Sequence, residues 1–259
     1  MIVTHKNIAI HYKTFGKGAP IVFLHGFLEN TTMWEQTIDS LSDTYHCILI
    51  DLLGHGHTES MGYIHTMEDM AQAVKAVLDT LTVTNVTFIG HSMGGYVALA
   101  CIDLFTDIAS GLVLLNSTSL PDSPQRQQTR TRAIEIVKKN PNAYTSMAIA
   151  NLFAPKNRIK FDQEIKEIKD QASKISLQGI ISGLEGMKIR KDRSSILANF
   201  EGSKIIVAGI KDPILPIDLV VKEAQLYKTD LIRLDGGHMS YLENKEEYLR
   251  ELRTFLATL

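Results

Sequence analysis

Apolar and polar residues follow one another along the first half of the chain in a repeated strand and helix pattern. Short apolar or β-branched runs predict strands over residues 8–12, 21–24, 47–50, 86–89 and 112–115. Apolar residues recur at helical spacing over 66–81, where Thr66 and Asp69 resemble a capping box, and again over 97–101. This β-α-β-α-β order predicts a mostly parallel sheet with helices on both faces, a fold of the α/β class.

The pattern changes near residue 118. Between 121 and 200 no strand pattern is present, and prolines separate segments with helical spacing, such as 130–139 and 162–174. Strands over 204–208 and 231–234 and helices over 218–226 and 245–256 then resume the earlier order. We therefore predict one α/β core built from residues 1–117 and 201–259, interrupted by a helical cap of residues 118–200.

Composition limits the classes of protein that the chain can belong to. With 259 residues, 44% of them hydrophobic, it can bury a large core, and its net charge of −2 gives no general attraction to nucleic acid or to an anionic membrane. Cys47 and Cys101 lie in apolar segments typical of buried thiols in a reducing compartment, and no leader-like or membrane-length apolar run is present. We expect a cytoplasmic protein, a monomer or simple homo-oligomer, whose partner is a small molecule.

Charge is unevenly distributed between the two predicted regions. Residues 121–200 contain 15 Lys and Arg against 8 Asp and Glu, a net charge of +7, whereas the remainder, with 12 against 21, carries −9. The difference is compatible with docking of the cap on the core, with a cleft that favours an anionic substrate, or with ordinary solvated helix surfaces. Charge alone does not identify a ligand.

A glycine-flanked serine marks the first candidate for chemistry. Gly90-His91-Ser92-Met93-Gly94 lies between a predicted strand and a predicted helix, the context of a nucleophile elbow. The flanking glycines fit this interpretation because a side chain at either position would collide with the neighbouring strand or helix. A glycine-rich turn with an incidental serine is the alternative.

A serine hydroxyl becomes a useful nucleophile only beside a base that removes its proton. His238 follows the last predicted strand, and Asp212 follows the strand over 204–208, so both lie where parallel strands end. An exposed loop histidine and an Asx-type turn before Pro213 are the structural alternatives for these two residues. Asp218 is a second candidate for the acid.

Five motifs in this order resemble the α/β-hydrolase superfamily over essentially the whole chain. They are His25-Gly26-Phe27, Asp51-Leu52-Leu53-Gly54-His55-Gly56, the serine pentapeptide, Gly209-Ile210-Lys211-Asp212 and Gly236-Gly237-His238. The resemblance implies a catalytic triad of Ser92, Asp212 and His238 and an oxyanion hole formed by the backbone N–H groups of Phe27 and Met93. It also implies that His25 holds its loop rather than acting as the base, and that neither a metal nor an organic cofactor is needed.

The resemblance favours a hydrolase that cleaves carboxylic esters of small to medium size through an acyl-enzyme. Haloalkane dehalogenases and epoxide hydrolases of this family need an aspartate where this chain has Ser92. Carbon–carbon hydrolases, perhydrolases and hydroxynitrile lyases share the triad and remain alternatives, as does a non-catalytic ligand-binding protein. The chain also resembles the menaquinone-pathway synthases at His25-Gly26-Phe27-Leu28, and a synthase or lyase of that kind stays an alternative although Tyr96 stands in place of their arginine.

Substrate choice in this superfamily depends on the variable cap, where the resemblance says least. Apolar residues near the predicted site are the candidates for lining the substrate pocket beside Phe27 and Met93: Leu28, Trp34, Met147, Phe153, Leu215 and Met239. Ordinary core packing is the alternative for each of them.

Overall fold

A computed structural model describes residues 1–105 and 107–259 of the chain. Its strands are β1 (Ile2–His5), β2 (Ile8–Phe15), β3 (Ala19–Leu24), β4 (Tyr45–Ile50), β5 (Val86–His91), β6 (Ala109–Leu115), β7 (Ser203–Gly209) and β8 (Asp230–Leu234). Its helices are α1 (Glu35–Ile38), α2 (Met67–Leu81), α3 (Met93–Leu104), α4 (Pro124–Lys139), α5 (Pro141–Ala150), α6 (Asp162–Ala172), α7 (Leu177–Lys188), α8 (Ser194–Asn199), α9 (Ile217–Leu226), α10 (Ser240–Glu243) and α11 (Lys245–Leu256), with 3-10 turns over Thr31–Trp34 and Pro155–Asn157.

All eight strands form one sheet in the order β1-β2-β4-β3-β5-β6-β7-β8. The pairs β1–β2 and β2–β4 are antiparallel, and every other neighbouring pair is parallel. The predicted mostly parallel α/β sheet is confirmed. β1 was not predicted because its four residues have no buried position to produce an apolar alternation.

The central strands are apolar throughout because both of their faces are covered. In β3, Val22 and Leu24 point into a core that contains α2 and α3, whereas Ile21 and Phe23 point into a second core with Trp34 and α11. Every residue of β5 is buried. This is the pattern expected of a parallel sheet between two helical layers.

Local signals predicted the core helices better than the inserted ones. Thr66 caps α2 as predicted, with its hydroxyl oxygen accepting the N–H of Asp69 at 3.0 Å. α4 begins six residues before the predicted start at 130, because Ser123 caps it and Pro124 occupies its first turn. α5 and α7 were not predicted. The three glycines of α7 lower the helix propensity of this segment, so its sequence does not indicate a helix.

The segment between β6 and β7 contains α4 to α8. A cap with limits at residues 118 and 200 stays a prediction, although these helices fall within that range.

α7 contacts the core through three glycines on one face. A Cβ atom would lie 2.3 Å from the Gly54 carbonyl oxygen at Gly179, 3.2 Å from the Phe27 ring at Gly183, and 1.7 Å from the His65 carbonyl oxygen at Gly186. The helix approaches the core this closely because no side chains intervene.

Within the two described ranges, no helix combines the length and the apolar character needed to cross a bilayer.

Candidate active site

Four loops meet at the edge of the sheet where the parallel strands end. β3 leads into residues 25–29, β5 into Ser92, β7 into Asp212 and β8 into His238. Parallel pairing places these ends together, since Leu24 lies opposite Gly90 and Gly209 lies opposite Leu234. The three residues predicted to form the triad are thereby brought to one place although 146 residues separate Ser92 from His238.

Ser92 occupies a sharp turn between β5 and α3. Its backbone has φ 49° and ψ −112°, a sparsely populated conformation, and its N–H donates to the Leu115 carbonyl at 2.9 Å. Gly94 permits the turn because a Cβ there would lie 2.1 Å from the Leu24 carbonyl oxygen. The turn holds the hydroxyl above the sheet, facing the loop of His238.

Ser92, His238 and Asp212 form a continuous chain of hydrogen bonds. Ser92 Oγ lies 2.9 Å from His238 Nε2, and His238 Nδ1 lies 2.7 Å from Asp212 Oδ2. Burial opposes ionisation of Asp212, but the His238 imidazole and the hydrogen bonds from His238, the Leu215 N–H and Asn116 hold the pKa of this carboxyl below its usual value. Asp212 therefore stays an acceptor, which fixes the proton of His238 on Nδ1 and leaves Nε2 to accept from Ser92.

Asp212 forms an Asx-type turn and a hydrogen bond to His238 at the same time. Oδ1 accepts the N–H groups of Ile214 at 2.7 Å and Leu215 at 2.9 Å, which makes an Asx-type turn, while Oδ2 faces His238. Asn116 Nδ2 also donates to Oδ2, at 3.0 Å. Asp218, the second candidate for the acid, is exposed on α9, and the carboxylate that pairs with His238 is Asp212.

Two backbone N–H groups beside the serine have no acceptor in the part of the chain that the structure describes. They belong to Phe27 and Met93, the residues expected to form an oxyanion hole. Met93 is the first residue of α3, where N–H groups are free and the helix dipole favours negative charge. Phe27 lies in a tight loop in which Leu28 has φ 67°.

His25 makes hydrogen bonds that hold this loop, and it makes none to Ser92. Its Nδ1 donates to the Gly26 carbonyl at 2.7 Å, and its Nε2 accepts the Leu52 N–H at 2.9 Å. Burial lowers the pKa of His25 against the attraction of Asp51, so the imidazole is neutral. With both ring nitrogens engaged by backbone, His25 has no free position from which to act as the base.

A second buried histidine and carboxylate pair lies beneath the site. His91 Nδ1 donates to Glu29 Oε2 at 2.7 Å, and His91 Nε2 donates to the His238 carbonyl at 3.0 Å. Glu29 also accepts the Gly26 N–H at 2.8 Å and the Tyr241 hydroxyl at 3.2 Å. Burial opposes charge on both groups, but the attraction between them is stronger. Glu29 raises the pKa of His91, and His91 lowers the pKa of Glu29, so the two form an ion pair. The pair links the Phe27 loop to the His238 loop.

The loop of His238 is also tied to the inserted segment. Glu243 accepts the Gly237 N–H at 2.8 Å, the Ala154 N–H at 3.1 Å and Asn157 Nδ2 at 2.6 Å. The His238 N–H donates to the Leu152 carbonyl at 2.8 Å. Sequence reasoning missed Glu243, Glu29 and Asn116 because no local motif contains them.

A cavity of about 720 Å³ opens beside Ser92 and His238. Apolar side chains line most of it, and Leu28 and Met147 are among them as predicted. The other predicted pocket residues lie outside its lining: Trp34, Phe153, Leu215 and Met239. Trp34, Phe153 and Met239 are fully buried in the core on the Phe23 side of the sheet, where their large apolar surface is removed from water.

Within residues 1–105 and 107–259, no group of three or more His, Cys, Asp and Glu side chains is arranged to hold a metal ion.

Comparison with known proteins identifies relatives of the whole chain. The model of a family described as the alpha/beta hydrolase fold matches residues 19–160. A thermophilic esterase from Thermogutta terrifontis, in a malate-bound structure, is 25% identical with a TM-score of 0.92 over 100% of this chain and 98% of its own. The enol-lactonase from Burkholderia xenovorans LB400 has a TM-score of 0.91 at 21% identity, over 99% of this chain and 100% of its own. The 3-oxoadipate enol-lactonase 2 of Acinetobacter baylyi is 23% identical over 95% of this chain and 92% of its own length.

Proposed function

The chain belongs to the alpha/beta hydrolase fold family, and from this premise we propose that it hydrolyses carboxylic esters through an acyl-enzyme on Ser92. The observation that carries the proposal is the hydrogen-bonded chain from Ser92 Oγ through His238 to Asp212. It lies beside the N–H groups of Phe27 and Met93, which have no acceptor among the described residues. The 25% identical esterase supports the same chemistry. In this assignment residues 118–200 act as the cap that shapes the substrate cavity.

The first half of the reaction forms the acyl-enzyme. His238 Nε2 takes the proton of Ser92 as Oγ attacks the ester carbonyl carbon, and the carbonyl oxygen becomes an oxyanion. The N–H groups of Phe27 and Met93 donate to that oxygen, which stabilises it by several kcal/mol in a site shielded from water. His238 then gives its proton to the departing alcohol as the C–O bond breaks.

The second half releases the acid. Water enters, His238 accepts one of its protons, and the resulting hydroxide attacks the acyl carbon through a second oxyanion. Collapse breaks the bond to Ser92 Oγ and returns the proton from His238 to it. Asp212 stays ionised throughout and balances the positive charge that His238 carries in both transition states.

A covalent probe separates an enzyme from a ligand-binding protein. We expect a fluorophosphonate to add one phosphonyl group to the wild-type chain, read by intact mass, because Ser92 Oγ displaces fluoride from phosphorus. Ser92→Ala is expected to gain no mass, and Ser119→Ala, which removes a buried hydroxyl that bonds Glu223, is the matched control. A wild-type chain that gains no mass would overturn the enzymatic proposal.

A substrate series separates ester hydrolysis from the other chemistries of the fold. We expect p-nitrophenyl esters of increasing acyl length to release p-nitrophenol with a kcat that Ser92→Ala lowers by about 10³ or more. A chain that forms the phosphonyl adduct but turns over no ester of any length would reject the esterase and favour a carbon–carbon hydrolase or lyase.

A further inference from the structure

Three arginines line the cavity beside Ser92. Arg126 and Arg130 lie on the same face of α4, and Arg132 follows on that helix. No Asp or Glu is among the described residues of the lining. A cavity whose charged wall residues are all cationic has a positive potential that low-dielectric surroundings strengthen.

One buried carboxylate neutralises part of this positive charge. The Asp122 side chain is 0% exposed and forms ion pairs with three guanidinium groups: Arg126 Nε at 3.4 Å, Arg130 Nε and Arg190 Nη1. Arg190 also donates to the Leu120 and Met187 carbonyls and packs over the Tyr96 ring, and it lies outside the cavity lining. One carboxylate among three guanidiniums leaves a cluster with a charge of +2.

Several guanidinium groups retain free donors. Arg126 Nη1 donates to the Ile214 carbonyl at 2.7 Å, but Nη2 has no acceptor, and neither has Arg130 Nη1, within the described ranges. Arg132 makes no hydrogen bond or ion pair there, and it is exposed. The Tyr144 phenol adds a donor to the same wall, since burial raises its pKa against the influence of Arg130. Free N–H donors in a planar fork match the geometry of a carboxylate.

Most of the remaining lining of the cavity is apolar. Phe27, Leu28 and Leu152 stand with Ser92 and His238 in the lining, while Ala133 and Ile136 continue the face of α4. A substrate that fits both parts has an ester at one end, an aliphatic stretch and an anion at the other. A neutral aliphatic ester would leave the positive charge that Asp122 does not balance without a counter-charge.

We infer that the substrate is an ester with a carboxylate remote from the scissile bond, as in the half-ester of a dicarboxylic acid. The carboxylate accepts hydrogen bonds from Arg126 Nη2 and Arg130 Nη1 on one face of α4, with the exposed Arg132 adding charge at the rim. This substrate class rests on the proposed ester hydrolysis, whereas the anion site itself exists whether or not Ser92 turns over an ester.

Matched esters test the inference. Monoethyl esters of succinate, glutarate, adipate and pimelate are compared with ethyl esters in which a methyl group replaces the free carboxylate, by proton release at pH 7.5 and low salt. We expect the half-ester at the best length to have a kcat/KM about tenfold above its neutral partner, through a lower KM. Because exposed charges are screened, the ratio should fall at high salt.

Variants of the arginines locate the effect. Arg130→Gln removes one of the three cations that pair with Asp122 and one hydrogen-bond donor of the anion site, whereas Arg132→Gln removes a charge and keeps the Asp122 cluster intact. Both are expected to reduce the half-ester preference severalfold. Lys139→Gln is the matched control, with the same charge change on α4 outside the cavity lining. Preference for the neutral ester at every length, or an equal ratio in all three variants, would overturn the inference.

A binding measurement keeps this result separate from the proposed function. Ser92→Ala is titrated calorimetrically with the four half-esters and with their neutral ethyl ester partners. We expect the half-ester of the best length to bind about tenfold tighter than its neutral partner, and expect adding Arg130→Gln to remove most of that difference. If the wild type hydrolyses no ester but a half-ester binds tighter than its neutral partner, the ester function fails and the anion site stands. If no half-ester binds tighter than its neutral partner, the anion site fails whatever the turnover.

Discussion

At the scale of single residues, the Asp212 carboxylate is held by four hydrogen bonds, of which only one is to His238. One oxygen accepts from His238 and Asn116 and the other from the N–H groups of Ile214 and Leu215. Rotation of the carboxylate would break several of these bonds at once. The imidazole of His238 is therefore presented to Ser92 in one tautomer and one orientation.

We predict that Asp212→Asn lowers kcat by about 10³ to 10⁴ with little change in KM. An amide at this position can donate to His238 Nδ1 and select the wrong tautomer, and it loses the charge that balances the imidazolium. Steady-state kinetics on a p-nitrophenyl ester measure both parameters. Asp218→Asn, at the exposed second candidate, is the control and should keep wild-type kcat; a comparable loss in both variants would contradict the assignment.

The sequence could predict the residues that follow strand ends but not those that support them. Ser92, Asp212 and His238 each sit beside glycines or prolines that mark a turn after an apolar run. Asn116 and Glu29 carry no such mark, because their partners lie 96 and 62 positions away and meet them only in the folded chain. For the same reason the prediction that Trp34 lines the pocket was wrong: Trp34 is near the site in sequence, but its side chain packs into the core of the folded chain.

At the scale of elements, α7 binds the core through its glycines. Gly179, Gly183 and Gly186 bring the helix backbone against Gly54, Phe27 and His65. The loop that carries Phe27 is thereby enclosed between β3 and α7. Helix propensity could not predict this element, since glycine is the residue that weakens a helix and also the residue that allows this contact.

We predict that Gly186→Ala lowers the free energy of unfolding by about 1–3 kcal/mol or more, because its Cβ would overlap a backbone carbonyl oxygen that cannot rotate away. Urea denaturation measures the change. Gly183→Ala is the matched substitution on the same helix, with the same gain in helix propensity, but its Cβ meets the Phe27 ring, which can shift. Equal stabilities for the two variants would contradict this packing.

At the scale of the whole molecule, the fold buries histidines in their neutral form. Burial lowers the pKa of five of them: His5, His11, His25, His55 and His65. The values reach about 3 for His55 and about 4 for His65. His91 is the opposite case, because Glu29 raises its pKa. Histidines with lowered pKa values outnumber it, so the unfolded chain binds more protons than the folded one in mild acid.

We predict that the free energy of unfolding falls as the pH is lowered from 6.5 to 5. In this window a histidine whose folded pKa lies below 5 protonates in the unfolded chain and stays neutral in the folded one, so His55 and His65 each contribute up to about 1.4 kcal/mol per pH unit. Urea denaturation across this range measures the slope. His65→Gln should reduce the slope by about that amount, and His57→Gln, which removes an exposed histidine, is the control; an unchanged slope in His65→Gln would contradict the prediction.

Residues at the mouth of the cavity contribute less to the stability of the fold than the residues around Ser92. Ile136, Met147 and Leu219 line the cavity yet are 45%, 52% and 49% exposed, whereas the residues around Ser92 are buried and joined by hydrogen bonds to several loops. Substitutions at these three positions remove little core surface and break none of those bonds. Under the proposed ester hydrolysis, mutations at this rim can therefore change which substrates are preferred while Ser92, His238 and Asp212 stay unchanged. The rim is the place to begin a laboratory evolution of substrate preference.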